Sequence, residues 1–420
     1  MLNSANEREL AYVVLIDAIT PIEGYDRVEL AHVGGWTIVV GKGEFKAGNP
    51  AIYFEIDSKL PEVEPFINME FLAKKKFKIT TQKMCKSLSQ GLLMSAKNFE
   101  WNICEVGEGQ NPNVNQGICE PDGTIHLTND ESRFLTKRLN VTYAVAADNS
   151  RKAPSADKYK VMSQRHPKIF SKKIVRWFMR REWGRKLMFF FFGKKKDNKN
   201  AWPYWVQKTD EERVENMLYI LNPTYEQEHH PDGWVATEKL DGSSTTFTLK
   251  RGKWPHKNQF YICSRNVVLN DPNKPCYYDH NIYHEMAEKY NIKEKMEEIL
   301  KDLNEEWITI QGETYGEGVQ KRDYGLKERN FATFNFITAS QGRFSTSAMA
   351  QIMNAYDIPH VPILNREYHL PATIEELRTY VESEPSTVDG VIKEGIVFRS
   401  QDGSQSFKCV SPLYLLIYHQ

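Results

Sequence analysis

The sequence is poor in cysteine, carries no net charge and has no long apolar run. Six cysteines are scattered over 420 residues without a C-x-x-C pair, which argues against a disulfide framework or a zinc site and favours a reducing compartment. The longest strongly apolar run, Leu187–Phe192, is too short to span a bilayer, and the N-terminus lacks the apolar core of a secretory signal. We therefore expect a soluble intracellular protein, cytoplasmic or in another reducing compartment.

The zero net charge hides a strong local asymmetry. Arg165–Lys196 contains twelve Lys or Arg residues and a single acidic residue, Glu182, for a net charge of +11. Ile174, Trp177 and Phe178 fit one face of a helix in this basic aromatic segment. Three readings stay open: a surface helix docked on a neighbouring domain, an RNA phosphate-binding element, or a helix lying on a membrane surface.

The first hundred residues predict β-structure. The stretches "AYVVLIDAITPI", "VELAHVGGWTIVVG" and "NPAIYFEID" are rich in Val, Ile, Tyr and Phe, and Gly, Pro and Asn interrupt them. Short strands at this spacing favour a small barrel. The basic stretch "KKKFKITTQK" would add a positive face, which is either a solvated edge or a binding surface.

The C-terminal half has a mixed pattern. Seven stretches predict strands and three predict helices, the longest being "IYHEMAEKYNIKEKMEEILKDL". Because the helices do not alternate regularly with the strands, we expect an α+β fold built mainly on antiparallel sheets.

Lys239 lies in "WVATEKLDGSSTTFTLK", between two predicted strands. Asp-Gly favours turns, so this stretch alone predicts an ordinary hairpin. A nucleophilic lysine would need a pKa lowered by burial, a nearby cation or a metal ion. Phosphoryl transfer would also need cations for the phosphate oxygens and carboxylates for a divalent metal.

Six stretches occur in an order that resembles a known superfamily. "EKLDGSS", "CSRN", "GETYGEGVQ", "FATFNFI", "EGIVFR" and "SFK" are similar to motifs I, Ia, III, IIIa, IV and V of the covalent nucleotidyltransferases, in the form found in ATP-dependent RNA ligases. The resemblance covers roughly residues 202–416. It implies an adenylyltransferase domain with an ATP-grasp-like ligase fold.

The resemblance implies a catalytic role for four positions. Lys239 would be the nucleophile that forms lysyl-AMP, and Lys408 would bind the ATP phosphates. Asp241 and Glu394 would hold the catalytic Mg²⁺ or Mn²⁺, directly or through water.

The resemblance also implies nucleotide contacts. Thr237 and Glu238 would contact the adenine edge, and Phe334 would stack on the adenine ring. Glu313 would accept hydrogen bonds from the ribose hydroxyls. Arg265 would contact phosphate and the RNA end.

Motif V departs from the family pattern. Family members commonly have K-x-K, whereas here Lys408 is followed two residues later by Val410. Lys393, Arg399 or a residue of the basic aromatic segment would have to supply the missing charge, or one reaction step would be slow.

The order of domains resembles one branch of RNA ligases, which has an N-terminal OB domain. We expect an OB-like domain at 1–110, a linker at 111–200 that contains the basic aromatic insertion 165–196, and the adenylyltransferase domain at 201–420. RNA-binding side chains would include Arg265 and, in the insertion, Lys172, Lys173, Arg176, Arg180 and Arg181.

The expected function is ATP-dependent joining of RNA 3′-OH and 5′-phosphate ends, in RNA repair. The partners would be RNA ends or a nicked duplex, with no obligate protein partner; membrane contact through 165–196 is the less favoured alternative. Two other functions stay open: a DNA or mixed-strand nick ligase, and a nucleic-acid-binding homologue with weakened catalysis.

Overall fold

The computed structural model describes most of the chain outside the predicted linker. The described residues are 1–5, 7–106, 115–144, 175, 202–207, 211–253, 255–273, 276, 278, 280–320 and 324–418. The predicted RNA-binding residues of the insertion, Lys172, Lys173, Arg176, Arg180 and Arg181, lie outside these residues.

The N-terminal part is built from short strands. They are β1 (Ala11–Leu15), β2 (Ala18–Ile22), β3 (Tyr25–Val33), β4 (Trp36–Gly41), β5 (Pro50–Phe54), β6 (Ser58–Lys59), β7 (Thr81–Met84), β8 (Ser87–Gln90), β9 (Leu92–Met94), β10 (Asn102–Val106), β11 (Asn115–Cys119), β12 (Ile125–Leu127) and β13 (Thr142–Tyr143). One short helix, α1 (Glu70–Lys74), and three 3₁₀ turns at Phe66–Asn68, Ala96–Phe99 and Glu131–Arg133 join them.

The N-terminal strands pair in small antiparallel sheets. Three of these sheets have three strands each, in the orders β1-β5-β9, β2-β3-β4 and β10-β11-β12. Strand β5 is buried along its whole length, as its continuous apolar sequence predicts, and β4 alternates between buried and half-buried residues. The β-rich character predicted for this region is confirmed.

The N-terminal core also draws on residues beyond position 100. Trp101, Ile118 and Val141 pack in the same cluster as Ile52 and Phe54. The predicted domain boundary at residue 110 falls in 107–114, outside the described residues, and stays a prediction.

A disulfide bond joins Cys104 and Cys119, contrary to the expectation from the sequence. The two residues lie on the paired strands β10 and β11, where Cys104 is opposite Gly117 and the two cysteine Cα atoms are 6.0 Å apart. The pairing of these two strands, which are eight residues apart in the sequence, brings the cysteines together, and no C-x-x-C spacing signals it. The cysteine pattern therefore no longer supports a reducing compartment.

The C-terminal part contains ten strands and six helices among the described residues. The strands are β14 (Glu212–Arg213), β15 (Trp234–Lys239), β16 (Ser243–Lys250), β17 (Gln259–Cys263), β18 (Trp307–Gly316), β19 (Arg329–Thr338), β20 (Gly342–Arg343), β21 (Ile363–Tyr368), β22 (Gly395–Ser400) and β23 (Ser406–Val410). The helices are α2 (Pro223–His229), α3 (Ile282–Lys289), α4 (Ile292–Asp302), α5 (Thr346–Ala355), α6 (Ile374–Ser383) and α7 (Pro412–Tyr418), with 3₁₀ turns at Val214–Asn216 and Leu218–Leu221.

Two five-stranded sheets form this part, in the orders β14-β23-β22-β15-β21 and β17-β16-β18-β19-β20. Only the β14–β23 pairing is parallel, so the predicted α+β fold with mainly antiparallel sheets is confirmed. Helices α3, α4 and α5 pack on the second sheet through buried residues such as Met286, Met296 and Met353. Helix α6 packs on the first sheet through Leu377 and Val381.

The sequence predicted one long helix where the structure has two. Helix α3 ends at Lys289 and α4 begins at Ile292, because Asn291 adopts a left-handed backbone with φ of 50°. Asparagine tolerates this conformation better than most residues. Strand β21 and helices α2 and α7 were not predicted.

The two parts of the chain pack together in one unit that contains Met1–Ala144 and the chain from Tyr204 onward. Arg378 of α6 donates hydrogen bonds to the carbonyl of Gly35 and to the carboxylate of Glu215. Within the described ranges, no helix has the length and apolar character needed to cross a membrane.

Candidate active site

The C-terminal end of β15 places Lys239 between two neighbouring strands. Lys239 is opposite Gly395 of β22, and Gly395 is in turn opposite Val410 of β23. Glu394 immediately precedes β22, so its side chain lies beside Lys239. The stretch predicted as a hairpin is therefore the exit of one sheet strand, and β16 begins after it in the second sheet.

Lys239 is ion-paired to Glu394. Its Nζ donates a hydrogen bond of 2.6 Å to Oε2 of Glu394, and the two side chains are 25% and 17% exposed. Burial alone would lower the pKa of Lys239, but the carboxylates of Glu394, Glu313 and Asp241 outweigh burial and raise that pKa above its usual value. The protein alone therefore holds Lys239 protonated, and a nucleophilic Lys239 requires that this negative charge be neutralised.

Glu313 belongs to the same cluster. Burial raises the pKa of Glu313 to about 8. The neighbouring carboxylates of Glu394 and Asp241 add to this effect, whereas the positive charges of Lys239 and Arg265 oppose it. A carboxyl group with this pKa is easily protonated near neutral pH, chiefly because burial disfavours its charged form. Arg265 is exposed, and its charge acts on Glu313.

The turn after Lys239 requires a glycine. A Cβ at Gly242 would lie 2.3 Å from the carbonyl oxygen of Thr314 and 3.0 Å from Cγ of Glu313. Gly242 thus allows the motif I turn to lie directly on β18, next to Glu313. The Gln320 side-chain amide donates a 2.8 Å hydrogen bond to the Gly242 carbonyl and holds the same turn from the far end of motif III.

Two tyrosines hold Asp241. The Asp241 backbone N–H donates to the hydroxyl of Tyr324, and the hydroxyl of Tyr414 donates to Oδ2 of Asp241 at 2.5 Å. Neither tyrosine was singled out from the sequence, since both are distant from motif I along the chain.

The side chains of the predicted adenine-edge residues already have partners. Thr237 is buried and donates its hydroxyl to the carbonyl of Val397 at 3.2 Å. The Glu238 carboxylate accepts hydrogen bonds from the Ser386 hydroxyl at 2.6 Å and from the Thr387 backbone N–H at 2.9 Å. Their adenine contacts stay predictions, and the loop that contains Ser386 and Thr387 is part of this region.

Phe334 lies where β19 is irregularly paired with β18, and it packs near Leu240, the residue after Lys239. Arg399 donates a 2.8 Å hydrogen bond to the Phe334 carbonyl, and its guanidinium lies 5.9 Å from the centre of the Phe334 ring. Arg399 also pairs with Glu211 at 2.8 Å and is only 2% exposed. It therefore connects the two sheets, with its charge paired to Glu211; whether it replaces the second motif V lysine stays a prediction.

Val410 lies on the same face of β23 as Lys408, because side chains alternate along a strand. Val410 is 4% exposed and packs with Leu88 of the N-terminal part and with Tyr414 and Leu415 of α7. Apolar packing between the two parts of the chain thus occupies the position of the second lysine. Lys393, the other candidate substitute, is buried and donates to the carbonyl of Glu384, and burial lowers its pKa.

Comparison with known proteins agrees with this geometry. Residues 232–410 match the model of the RNA ligase family, and residues 10–96 match an OB-fold domain model. The C-terminal part of the chain, over residues 232–410, is therefore similar to the RNA ligase family. The RNA ligase match spans Lys239, Asp241, Glu313 and Glu394, and the OB-fold match confirms the predicted N-terminal fold. No curated protein sequence matches the chain.

Solved structures of an RNA ligase are similar to nearly the whole chain. A Naegleria gruberi RNA ligase with pyrophosphate is 25% identical, with a TM-score of 0.62, and the match covers 98% of this chain and 99% of that one. Mutants of that ligase with AMP and Mn, and with ATP and Mn, are also 25% identical, with TM-scores of 0.62 and 0.61. Each of these two matches covers 97% of this chain and 98% of that one.

Proposed function

We propose that this ligase uses ATP to join RNA 3′-OH and 5′-phosphate ends, as in RNA repair, through a lysyl-AMP and an RNA-adenylate. The observation that carries the proposal is the position of Lys239, at a strand end among the carboxylates of Glu394, Glu313 and Asp241. A lysine held in this way is a nucleophile once the surrounding charge is neutralised.

Three transfers would follow. Nζ of Lys239 attacks the α-phosphorus of ATP, a P–N bond forms and pyrophosphate leaves. The RNA 5′-phosphate oxygen then attacks the same phosphorus, which breaks the P–N bond and returns Lys239. Finally the RNA 3′-OH oxygen attacks the 5′-phosphate, its proton is released and AMP leaves.

The carboxylates around Lys239 suit a divalent cation. Mg²⁺ is usually held by one or two carboxylates together with water and substrate phosphates. Asp241 and Glu394 provide such a pair, and the described residues hold no group of three His, Cys, Asp or Glu arranged as a metal cage. When bound, Mg²⁺ or Mn²⁺ would neutralise charge on the phosphates and carboxylates. Burial would then lower the pKa of Lys239, because the neutralised carboxylates would raise that pKa less.

The remaining site residues would bind the nucleotide. Phe334 would stack on adenine, with its backbone held by Arg399. Glu313 would accept hydrogen bonds from the ribose hydroxyls and Lys408 would bind phosphate. Thr237 and Glu238 would contact the adenine edge, through backbone atoms or after movement of the Ser386–Thr387 loop, because their side chains already have partners.

RNA would lie across Arg265 and the OB-fold domain. OB folds bind single strands through basic grooves and aromatic stacking. Lys172, Lys173, Arg176, Arg180 and Arg181 would add phosphate contacts. The domain limits of 1–110, 111–200 and 201–420 remain part of the proposal.

Incubation with ATP labelled at the α-phosphate and Mn²⁺ tests the first transfer. We expect an acid-stable, hydroxylamine-labile AMP adduct on the wild-type protein and none on Lys239→Ala. Lys250→Ala is the matched control, because Lys250 lies at the far end of β16, the strand that follows β15 along the chain in the second sheet. An adduct of equal intensity on Lys239→Ala contradicts the proposal.

The nature of the strand is tested separately. Nicks that differ only in a ribose or deoxyribose at the 3′-OH end are sealed side by side. Preferential sealing with ribose supports an RNA ligase, and equal sealing of both indicates a mixed-strand nick ligase.

A further inference from the structure

Tyr414 lies beyond residue 410, where the match to the RNA ligase family model ends. It is 7% exposed, and its hydroxyl donates to Oδ2 of Asp241 at 2.5 Å. Because this bond uses one carboxylate oxygen, it restricts rotation of the carboxylate and leaves Oδ1 for another partner. The Asp241 backbone is fixed separately, by Tyr324.

The helix that contains Tyr414 is attached to the active site at its first turn. The backbone N–H of Ser411 donates to the carbonyl of Glu394 at 2.9 Å, and the Ser411 hydroxyl accepts from the backbone N–H of Tyr414 at 3.1 Å. Glu382 of α6 accepts from the backbone N–H of Leu413 at 3.0 Å. Helix α7 thus contacts Asp241 through Tyr414, and Ser411, the residue before the helix, is bonded to the backbone of Glu394.

The same helix contacts the OB-fold domain. Leu415 and Tyr414 pack with Leu88 of β8, and Lys83 of β7 donates to the carbonyl of Leu416 at 3.0 Å. A helix of seven residues is unstable by itself in water, so contacts such as these determine where α7 lies. The position of the Tyr414 hydroxyl therefore depends on how the OB-fold domain packs on α7.

We infer that Tyr414 is a positioning residue for Asp241, and that α7 makes the geometry of the metal site depend on the docking of the OB-fold domain. This inference rests on the proposed role of Asp241 in metal binding. It assigns a function to a segment outside the matched motifs and gives a reason for Val410, whose side chain supports the same contact.

Tyr414→Phe tests the hydrogen bond while the ring and its packing remain. Mn²⁺ binding is measured by the loss of the free-ion electron paramagnetic resonance signal, in the presence of α,β-methylene-ATP, which cannot transfer AMP. We expect roughly tenfold weaker Mn²⁺ binding, as for other residues that orient metal ligands. The matched control is Tyr356→Phe, which removes a 2.7 Å tyrosine–aspartate hydrogen bond, to Asp302, on the surface.

Leu88→Ala tests the link to the OB-fold domain with Tyr414 intact. It should weaken Mn²⁺ binding in the same direction by a smaller factor. In the double variant Leu88→Ala, Tyr414→Phe, the added effect of the leucine change should disappear, because both changes act through one hydroxyl. Circular dichroism checks that each variant is folded. If Tyr414→Phe does not fold, Leu88→Ala still tests the inference, because Tyr414 is intact in it.

The outcomes separate this inference from the proposed function. Mn²⁺ affinity of Tyr414→Phe equal to that of the wild type overturns the positioning role. Full additivity in the double variant overturns the link to the OB-fold domain. A wild-type protein that forms no AMP adduct overturns the proposed function instead.

Discussion

Lys239 donates a 2.6 Å hydrogen bond to Glu394, the residue that precedes the strand paired with its own. The bond fixes the direction of the ammonium group, yet the carboxylate raises the pKa of the lysine that must lose a proton. In the proposed reaction, Glu394 would orient Lys239 before the first transfer, and its negative charge would have to be neutralised for that transfer to begin.

Replacing Glu394 by glutamine should lower the pKa of Lys239. The Glu394 carboxylate stabilises the protonated form of Lys239. Without it, the effect of burial, which lowers the pKa of Lys239, is opposed by less negative charge. The measurement is acetylation of Lys239 against pH, followed by mass spectrometry without ATP or metal. The midpoint for Glu394→Gln should lie at lower pH than that for the wild type.

Lys250 in the same samples is the internal control for this experiment. It pairs at 3.3 Å with Glu306, away from the site, so its own midpoint should not change. A Lys239 midpoint that stays in place or moves to higher pH in Glu394→Gln contradicts the electrostatic account.

Introducing the second motif V lysine at position 410 should not speed the formation of the AMP adduct. In Val410→Lys, an ammonium group would enter the apolar cluster with Leu88, Tyr414 and Leu415. We expect a loss of roughly 2–5 kcal/mol in the free energy of unfolding, measured with urea, and no faster formation of the AMP adduct. Val410→Ile is the apolar control. A Val410→Lys protein that reacts faster and is equally stable would show that the position faces the nucleotide.

The sequence predicted the site better than its surroundings. Lys239, Asp241, Glu313 and Glu394 lie close enough to influence one another's charge, and each was found from a local motif, while their roles stay predictions. Tyr414 was not predicted, since a hydrogen bond between residues 173 positions apart leaves no spacing pattern.

Two other features were not predicted, for a similar reason. The disulfide between Cys104 and Cys119 depends on the pairing of β10 with β11. Arg399 was a candidate cation because its motif was recognised, but its partner Glu211 lies outside that motif. The disulfide and the Arg399–Glu211 ion pair both depend on contacts formed only in the folded protein, so local sequence patterns do not predict them.

Glu211 should make stability depend on acidic pH. Burial opposes its ionisation, but Arg399 and the Ser406 hydroxyl outweigh burial and lower its pKa to about 2 from a usual 4.5. The ionised group thus stabilises the folded state fully above pH 4.5, and this contribution disappears as the pH falls towards 2. Glu211→Gln should lose roughly 2–4 kcal/mol at pH 7.

Urea unfolding of the wild type and Glu211→Gln between pH 3 and pH 7 measures this difference. The gap between the two proteins should narrow as the pH decreases below 4.5. Glu328→Gln is the control, because Glu328 forms a 3.0 Å ion pair with Lys289 but its side chain is 74% exposed, and exposed pairs contribute little. A constant gap over the whole range would exclude Glu211 ionisation as its source.

The basic aromatic segment should contribute to RNA affinity through charge. Replacing Lys172, Lys173, Arg176, Arg180 and Arg181 by glutamine keeps the chain length and removes five positive charges. If all five contact phosphate, the slope of log affinity against log salt should decrease in magnitude by about 3.5 for single-stranded RNA. The slope is measured by fluorescence anisotropy of labelled RNA between about 50 and 200 mM salt, a range over which such effects are large.

The control is the double variant Lys293→Gln, Lys301→Gln, which removes two exposed charges on α4 and so tests for the loss of charge alone. An unchanged slope and affinity at low salt would assign the segment to a membrane or protein partner.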